Sequence, residues 1–172
     1  MYKSIWFKIK ELRFSEEYLK DIGATNEDLQ VDVIIKAFIY ACLKSIETLE
    51  LNIRECGRED DASLYYELLD VSTTMHDRFI EISQMSDSID KESTMTSVLD
   101  KLLSVSDYNE KLIWNVLTYG FDVYEIIINF DWLQEKSVEE KYEILYNSIA
   151  QYVEYNRGIL INESDIIRSL RK

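Results

Sequence analysis

The chain contains no proline, and only four of its 172 residues are glycine. A β fold needs turn chemistry about every 8–12 residues. The shortage of both turn formers therefore argues against a hairpin-based sheet and for long, unbroken helices. Histidine occurs once and cysteine twice, too few for a structural zinc site. No Glu-x-x-His pair is present, which disfavours a ferritin-like di-metal centre. P-loop, GxGxxG, GxSxG, EF-hand and HExxH patterns are all missing. His76 stands beside Met75 and Phe79 on a helix flank, the setting of a packing residue. The longest apolar stretch, Val33 to Leu43, is interrupted by Lys36 and is too short to cross a bilayer. No apolar signal region opens the chain. Cys42 and Cys56 on one helix would lie about 21 Å apart, too far for a disulfide. They read as thiols in a reducing compartment. These features predict a cytoplasmic protein with no membrane partner.

What the chain has in excess is acid. It carries 33 acidic against 19 basic residues, a net charge of −14. The charge is uneven. Residues 1–13 hold Lys3, Lys8, Lys10 and Arg13 against Glu11, and the tail 166–172 adds Arg168, Arg171 and Lys172. Residues 14–165 therefore carry −20, from 12 bases and 32 acids. Such a field repels nucleic acid and anionic lipid and attracts basic protein surfaces; it also maintains solubility.

Helical periodicity runs through most of the sequence. In residues 1–14, Ile5, Trp6, Ile9 and Leu12 form a helix stripe, although Ile5, Phe7 and Ile9 also alternate like a strand. Ser15 caps a short helix ending at Gly23. Thr25 is expected to cap a long helix over 26–56 that stops at Gly57 in a left-handed conformation. Its stripe is Ile35, Ile39, Cys42, Ile46, Leu49, Ile53 and Cys56, at heptad spacing. Asp60 or Asp61 is expected to cap a second long helix over 61–85, with Leu64, Leu68, Val71, Met75, Phe79 and Ile82 inward. The short turn between the two makes them antiparallel neighbours. Residues 86–94 read as a loop before a short helix carrying Val98 and Leu99. Gly120 marks a kink in a buried helix. Ser137 to Glu140 form a capping box for a helix with Tyr142, Leu145, Ile149 and Tyr152, and Asn162 caps a last short one. The fold class is all-α: one acidic domain over 1–172, a single compact bundle of about six to eight helices around the two long ones. A basic-aromatic segment 1–14 and a basic tail 166–172 flank its acidic body.

Two groups of residues suggest chemistry. Glu47-Thr-Leu-Glu50 near the end of the first long helix and Glu67-Leu-Leu-Asp70 near the start of the second could bring four carboxylates together, as Mg²⁺ on a triphosphate requires. Acid pairs at this spacing occur six times (47/50, 67/70, 87/90, 107/110, 122/125 and 140/143), and composition alone generates about six. The pattern resembles the ExxE…ExxD arrangement of the all-α NTP pyrophosphatases, the MazG-like and dimeric dUTPase family. Tyr108-Asn-Glu-Lys111…Asn115 resembles a nucleotide-contact segment of some members, without the basic residues usual after the asparagine. The resemblance implies Mg²⁺ ligation by Glu47, Glu50, Glu67 and Asp70 and a phosphate contact by Lys111. The second group is an interaction surface: the acidic cluster Glu59, Asp60 and Asp61, with Tyr142, Tyr146 and Tyr155 on one late helix. Tyrosine is large, rigid and amphipathic, which suits interfaces. The N-terminal bases and aromatics are expected to dock on the protein's own acidic body.

The leading expectation is a non-enzymatic interaction protein without a cofactor, binding and blocking or regulating a basic protein partner. Nucleic-acid-handling enzymes, whose grooves are positive, are the natural class, and an acidic helical protein can fill such a groove as a nucleic-acid mimic. The Ile-, Lys-, Asn- and Tyr-rich usage suggests A+T-rich coding, which fits a phage-encoded inhibitor of host defence or an immunity protein. The alternatives are the Mg²⁺-dependent pyrophosphatase and a self-associating regulatory protein, a homodimer joined through the heptad stripe.

Overall fold

A computed structural model describes residues 5–57, 62–104 and 137–155. All regular structure among them is helical: α1 (Trp6–Ile9), α2 (Glu16–Ile22), α3 (Gln30–Glu55), α4 (Ser63–Ser83), α5 (Ser88–Ser104) and α6 (Val138–Tyr155). The readings of the kinked helix around Gly120, the segment Tyr108 to Asn115, the cap at Asn162 and the basic tail fall outside the described residues.

The bundle is organised by the pairing of α3 with α4, its most extensive contact. Three layers fix the pairing. Phe38 meets Phe79 with ring centroids 5.2 Å apart. Ser45 Oγ lies 3.0 Å from Ser72 Oγ. Leu49 packs with Leu68 in a separate cluster supported by Tyr65, Leu69 and Val71. As residue numbers rise on α3 they fall on α4, so the helices are antiparallel. The steps of seven and four match heptad packing. Ser72 donates its hydroxyl hydrogen to Leu68 O at 2.8 Å, so in the serine pair Ser45 must be the donor. Both serines are fully buried.

The seam keeps Leu49 of the expected stripe and differs from it by one residue at the two other levels. Phe38 and Ser45 face α4, while Ile39 and Ile46 are only half-buried. The first half of α3 is apolar almost all round, Asp32 and Lys36 excepted, and is covered on several sides, by α2 and α5 as well as α4. One core then joins every described helix, from Ile5 and Trp6 through Tyr18, Ile34, Phe38, Phe79 and Met95 to Ile149 and Val153.

Several boundaries also move. Helix α3 begins at Gln30, not after Thr25. The Thr25 N–H donates to Asp28 Oδ2 at 2.9 Å and the Glu27 N–H to Thr25 Oγ1 at 3.3 Å, which closes a separate turn. Leu29 then leaves the helical region at φ −61°, ψ 143°. The helix ends at Glu55 with Cys56 extended, and Gly23 is the described glycine with positive φ, at 72°. Helix α4 starts at Ser63 behind Ala62, which makes no side-chain cap. The segment read as a loop is mostly helix. Asp87 Oδ1 accepts from the Ile89 N–H at 2.8 Å and the Asp90 N–H at 3.3 Å, an N-cap that the polar composition concealed. Ser15 and Ser137 cap as expected, accepting from the Tyr18 and Glu140 N–H groups at 3.2 Å each.

The N-terminal segment is a short helix, and its stripe Ile5, Trp6, Ile9 and Leu12 is buried. Trp6 Nε1 donates to Glu92 Oε1 at 2.7 Å and Gln30 Nε2 to Leu12 O at 2.7 Å. The Arg13 and Ser15 N–H groups donate to Glu154 Oε1 at 3.0 Å and Val153 O at 2.8 Å. The segment is thus docked on α3, α5 and α6.

Ser45→Ala and Ser72→Ala are each expected to cost about 1 kcal/mol. The double variant should cost less than their sum, because no polar atom then remains unpaired across the seam. Urea unfolding measures this, and strict additivity would mean that the two hydroxyls do not interact. Phe79→Ala, which opens the main core, is expected to cost about 3–5 kcal/mol.

Candidate acidic interface

The charged residues divide by location. Half-buried lysines are engaged internally. Lys91 Nζ binds Asp32 Oδ1 at 2.8 Å. Lys36 Nζ donates to Gly23 O at 3.1 Å and lies 3.5 Å from Asp28 Oδ2. The Thr25 N–H, followed by Lys36, holds the Asp28 carboxyl below its ordinary pKa. Lys44 Nζ donates to Tyr152 Oη and stands over the Tyr152 ring, 4.8 Å from its centroid. Many of the acids, by contrast, project outward. On α4, Glu67, Asp70, Asp77 and Glu81 are all exposed, and their spacings of three, seven and four place them along one face. The single basic residue of α4, Arg78, is held by Glu81 at 3.1 Å. On α3, Glu47, Glu50 and Glu55 are exposed, as are Glu139, Glu140 and Glu143 on α6.

The four carboxylates suggested as Mg²⁺ ligands do not form a site. Among the described residues no group of three or more His, Cys, Asp or Glu side chains is arranged to hold a metal ion, and Glu47, Glu50, Glu67 and Asp70 are all exposed. The levels match: Leu49 faces Leu68, which sets Glu47 near Asp70 and Glu50 near Glu67 along the axis. The angles do not. At about 100° per residue, Glu47 and Asp70 turn onto the outer backs of their helices. Glu50 and Glu67 fall on opposite sides of the seam, because antiparallel helices wind in the same sense when viewed from one end. Lys111 lies outside the described residues.

The expected interface residues are only partly placed. Glu59, Asp60 and Asp61, and the side chains of Tyr142 and Tyr155 on α6, lie outside the described residues. Tyr146 is half-buried against the core, with Lys8 Nζ 5.8 Å from its ring centroid. Tyr152 is a core residue. Among the described residues the tyrosine that does face solvent is Tyr66 on α4, at 58% exposure, which lies off the expected stripe. His76 is partly buried, 3.3 Å from Asp77.

Inside, Tyr18 joins Tyr40 and Tyr152 edge-on, with centroids 6.0 and 5.5 Å away, and stacks on Phe14 at 5.9 Å. Burial, followed by these neighbouring phenols, raises the Tyr18 pKa far above the ordinary tyrosine range. Burial also raises Tyr40 and pushes the Cys42 thiol up to about 12. The chain matches no family model, no curated protein and no solved structure.

Because these groups are held neutral in the fold, their contribution to stability is complete below their unfolded pKa values, about 8.5 for a thiol and 10 for a phenol. It is lost as pH rises above them. The urea midpoint should be level from about pH 7 to 8 and fall toward pH 11, and Ellman's reagent should titrate Cys56 but not Cys42 until denaturant is added. A native Cys42 that reacts at pH 8 would contradict its burial. Millimolar Mg²⁺ is expected to leave the melting temperature unchanged, and a Mg²⁺-dependent rise abolished by Glu47→Gln would restore a metal site at the quartet.

Proposed function

We propose that the protein is a non-enzymatic acidic interaction protein that binds and blocks or regulates a basic protein partner. One observation carries this reading: partly buried lysines are neutralised within the fold while acids line the exposed face of α4. A surface of that kind speeds encounter with a cationic groove and discriminates against anionic ligands. Enzymes that handle nucleic acid present such grooves, so inhibition by occupying the groove in place of nucleic acid is the specific form proposed. The docked N-terminal segment supports a protein partner over RNA or membrane. Its Trp6 is buried and its Lys8 lies 3.9 Å from Glu143, one of the protein's own acids.

Association with such a partner should slow as salt rises, because the Debye length falls from about 10 Å at 0.1 M to about 3 Å at 1 M. Nucleic acid should compete. Reversing Asp70 and Asp77 to Lys should weaken binding with little change in the urea midpoint, since both are exposed. Reversing Glu59, Asp60 and Asp61 tests the other acidic cluster in the same assay. Pull-down from a candidate host with and without high salt, followed by kinetic measurement, checks these outcomes; binding indifferent to salt and to nucleic acid would assign the charge to solubility alone.

A further inference from the structure

Between α4 and α5 lies an open cleft of about 290 Å³ with Met75, Phe79 and Val98 among its lining residues. Met75 and Phe79 belong to the core and Val98 packs against it. Thr74, Thr94, Ser97 and Arg78 also border the cleft, and their polar groups are largely committed elsewhere. Thr74 Oγ1 donates to Asp70 O at 2.9 Å and Thr94 Oγ1 to Asp90 O at 2.8 Å, while Arg78 is bound to Glu81. The cleft therefore presents apolar surface with few groups to orient a polar ligand. It lies at the lower end of the usual volumes of small-molecule pockets, roughly 300–1,000 Å³, which suits one or two large apolar side chains.

Its frame is acidic. Asp70 stands one turn before Thr74 and Asp90 one turn before Thr94, and both are exposed; Glu81, one turn after Arg78, is paired with it at 3.1 Å. An apolar slot between two helices, with an exposed carboxylate one turn from its rim on each helix, is complementary to a helix that carries apolar residues on one face and Lys or Arg one turn away. Met75 in the floor adapts to different anchor shapes.

We propose that this cleft docks an amphipathic basic helix of the partner. A large apolar side chain enters against Met75, Phe79 and Val98, and flanking cations meet Asp70 and Asp90. The proposal rests on the acidic-interaction reading and adds where and in what form the partner binds.

The test uses the full chain and two labelled synthetic peptides followed by fluorescence anisotropy. One is two heptads of Leu and Lys in amphipathic helical order; the other has every Leu replaced by Ser at unchanged charge. The Leu peptide should bind at least about tenfold more tightly, as an apolar anchor in a pocket requires. Ser97→Trp, which fills the cleft from an exposed position, should abolish that difference. Thr74→Trp should do the same from the opposite wall, and urea midpoints establish that at least one of the two is folded. Asp70→Lys should weaken both peptides. Equal binding of the two peptides, or a Leu preference that survives both folded filling variants, overturns the cleft and leaves the acidic surface in place. Failure of both peptides to bind at about 0.05 M salt overturns the acidic-partner reading and the cleft together. Leu-peptide binding indifferent to Asp70→Lys and to salt overturns the basic character of the occupant.

Discussion

The hydrogen bond between Ser45 and Ser72 sets the register on which the rest of the bundle depends. It lies between two apolar layers, Phe38 on Phe79 and Leu49 on Leu68. Apolar layers alone tolerate sliding, because one large hydrophobe resembles another. A slip of one heptad would set Ser45 against Phe79 in one direction or Ser72 against Phe38 in the other and would separate the two hydroxyls, and a buried hydroxyl left unpaired costs about 1–3 kcal/mol. A single polar layer in a helical seam is a well-attested device for fixing alignment. Once α3 and α4 are aligned, so are the faces they present to α2 and α5, and with them the cleft beside Phe79.

That register also decides what the acids can do. Had Glu47 and Glu50 been turned toward Glu67 and Asp70, the hairpin would have gathered charge into a cation site. With the serines and leucines on the seam, the same residues are forced outward. The choice between an inward metal centre and an outward acidic surface thus follows from which residues of α3 occupy the interface.

Much of this was legible in the sequence and some was not, for identifiable reasons. The absence of proline and the caps at Ser15 and Ser137 gave the helical class and two boundaries, since capping chemistry is local. The α4 stripe through Leu68, Met75, Phe79 and Ile82 was visible because polar residues border it. The α3 seam was displaced by one residue at two of its levels, Leu49 apart, because hydrophobicity weights Ile46 above Ser45. A buried serine pair is invisible to that measure until both helices are placed. The start of α5 was hidden because only Met95 and Leu99 of its described side chains are fully buried; a helix with so narrow an inward face carries little periodicity. The acid quartet misled because spacing along a helix says nothing about azimuth across a pair.

The placement of charge bears on function through its cost. Asp77 and Glu81 stand four apart on one face, where like charges oppose the helix by about 0.2–0.5 kcal/mol. Arg78 offsets this in part by pairing with Glu81, while the half-buried lysines are tied into the fold: Lys36 to the α2–α3 turn, Lys44 to Tyr152, Lys91 to Asp32. Solubility needs net charge but is served best by interspersed signs and not by a single-sign face. Concentrating acids on the face of α4 beside an apolar cleft is unfavourable for the isolated chain and becomes favourable only when cations arrive from outside. A basic partner would remove the repulsion and cover the exposed apolar surface in one step, so its binding would stabilise the bundle as well as recognise it.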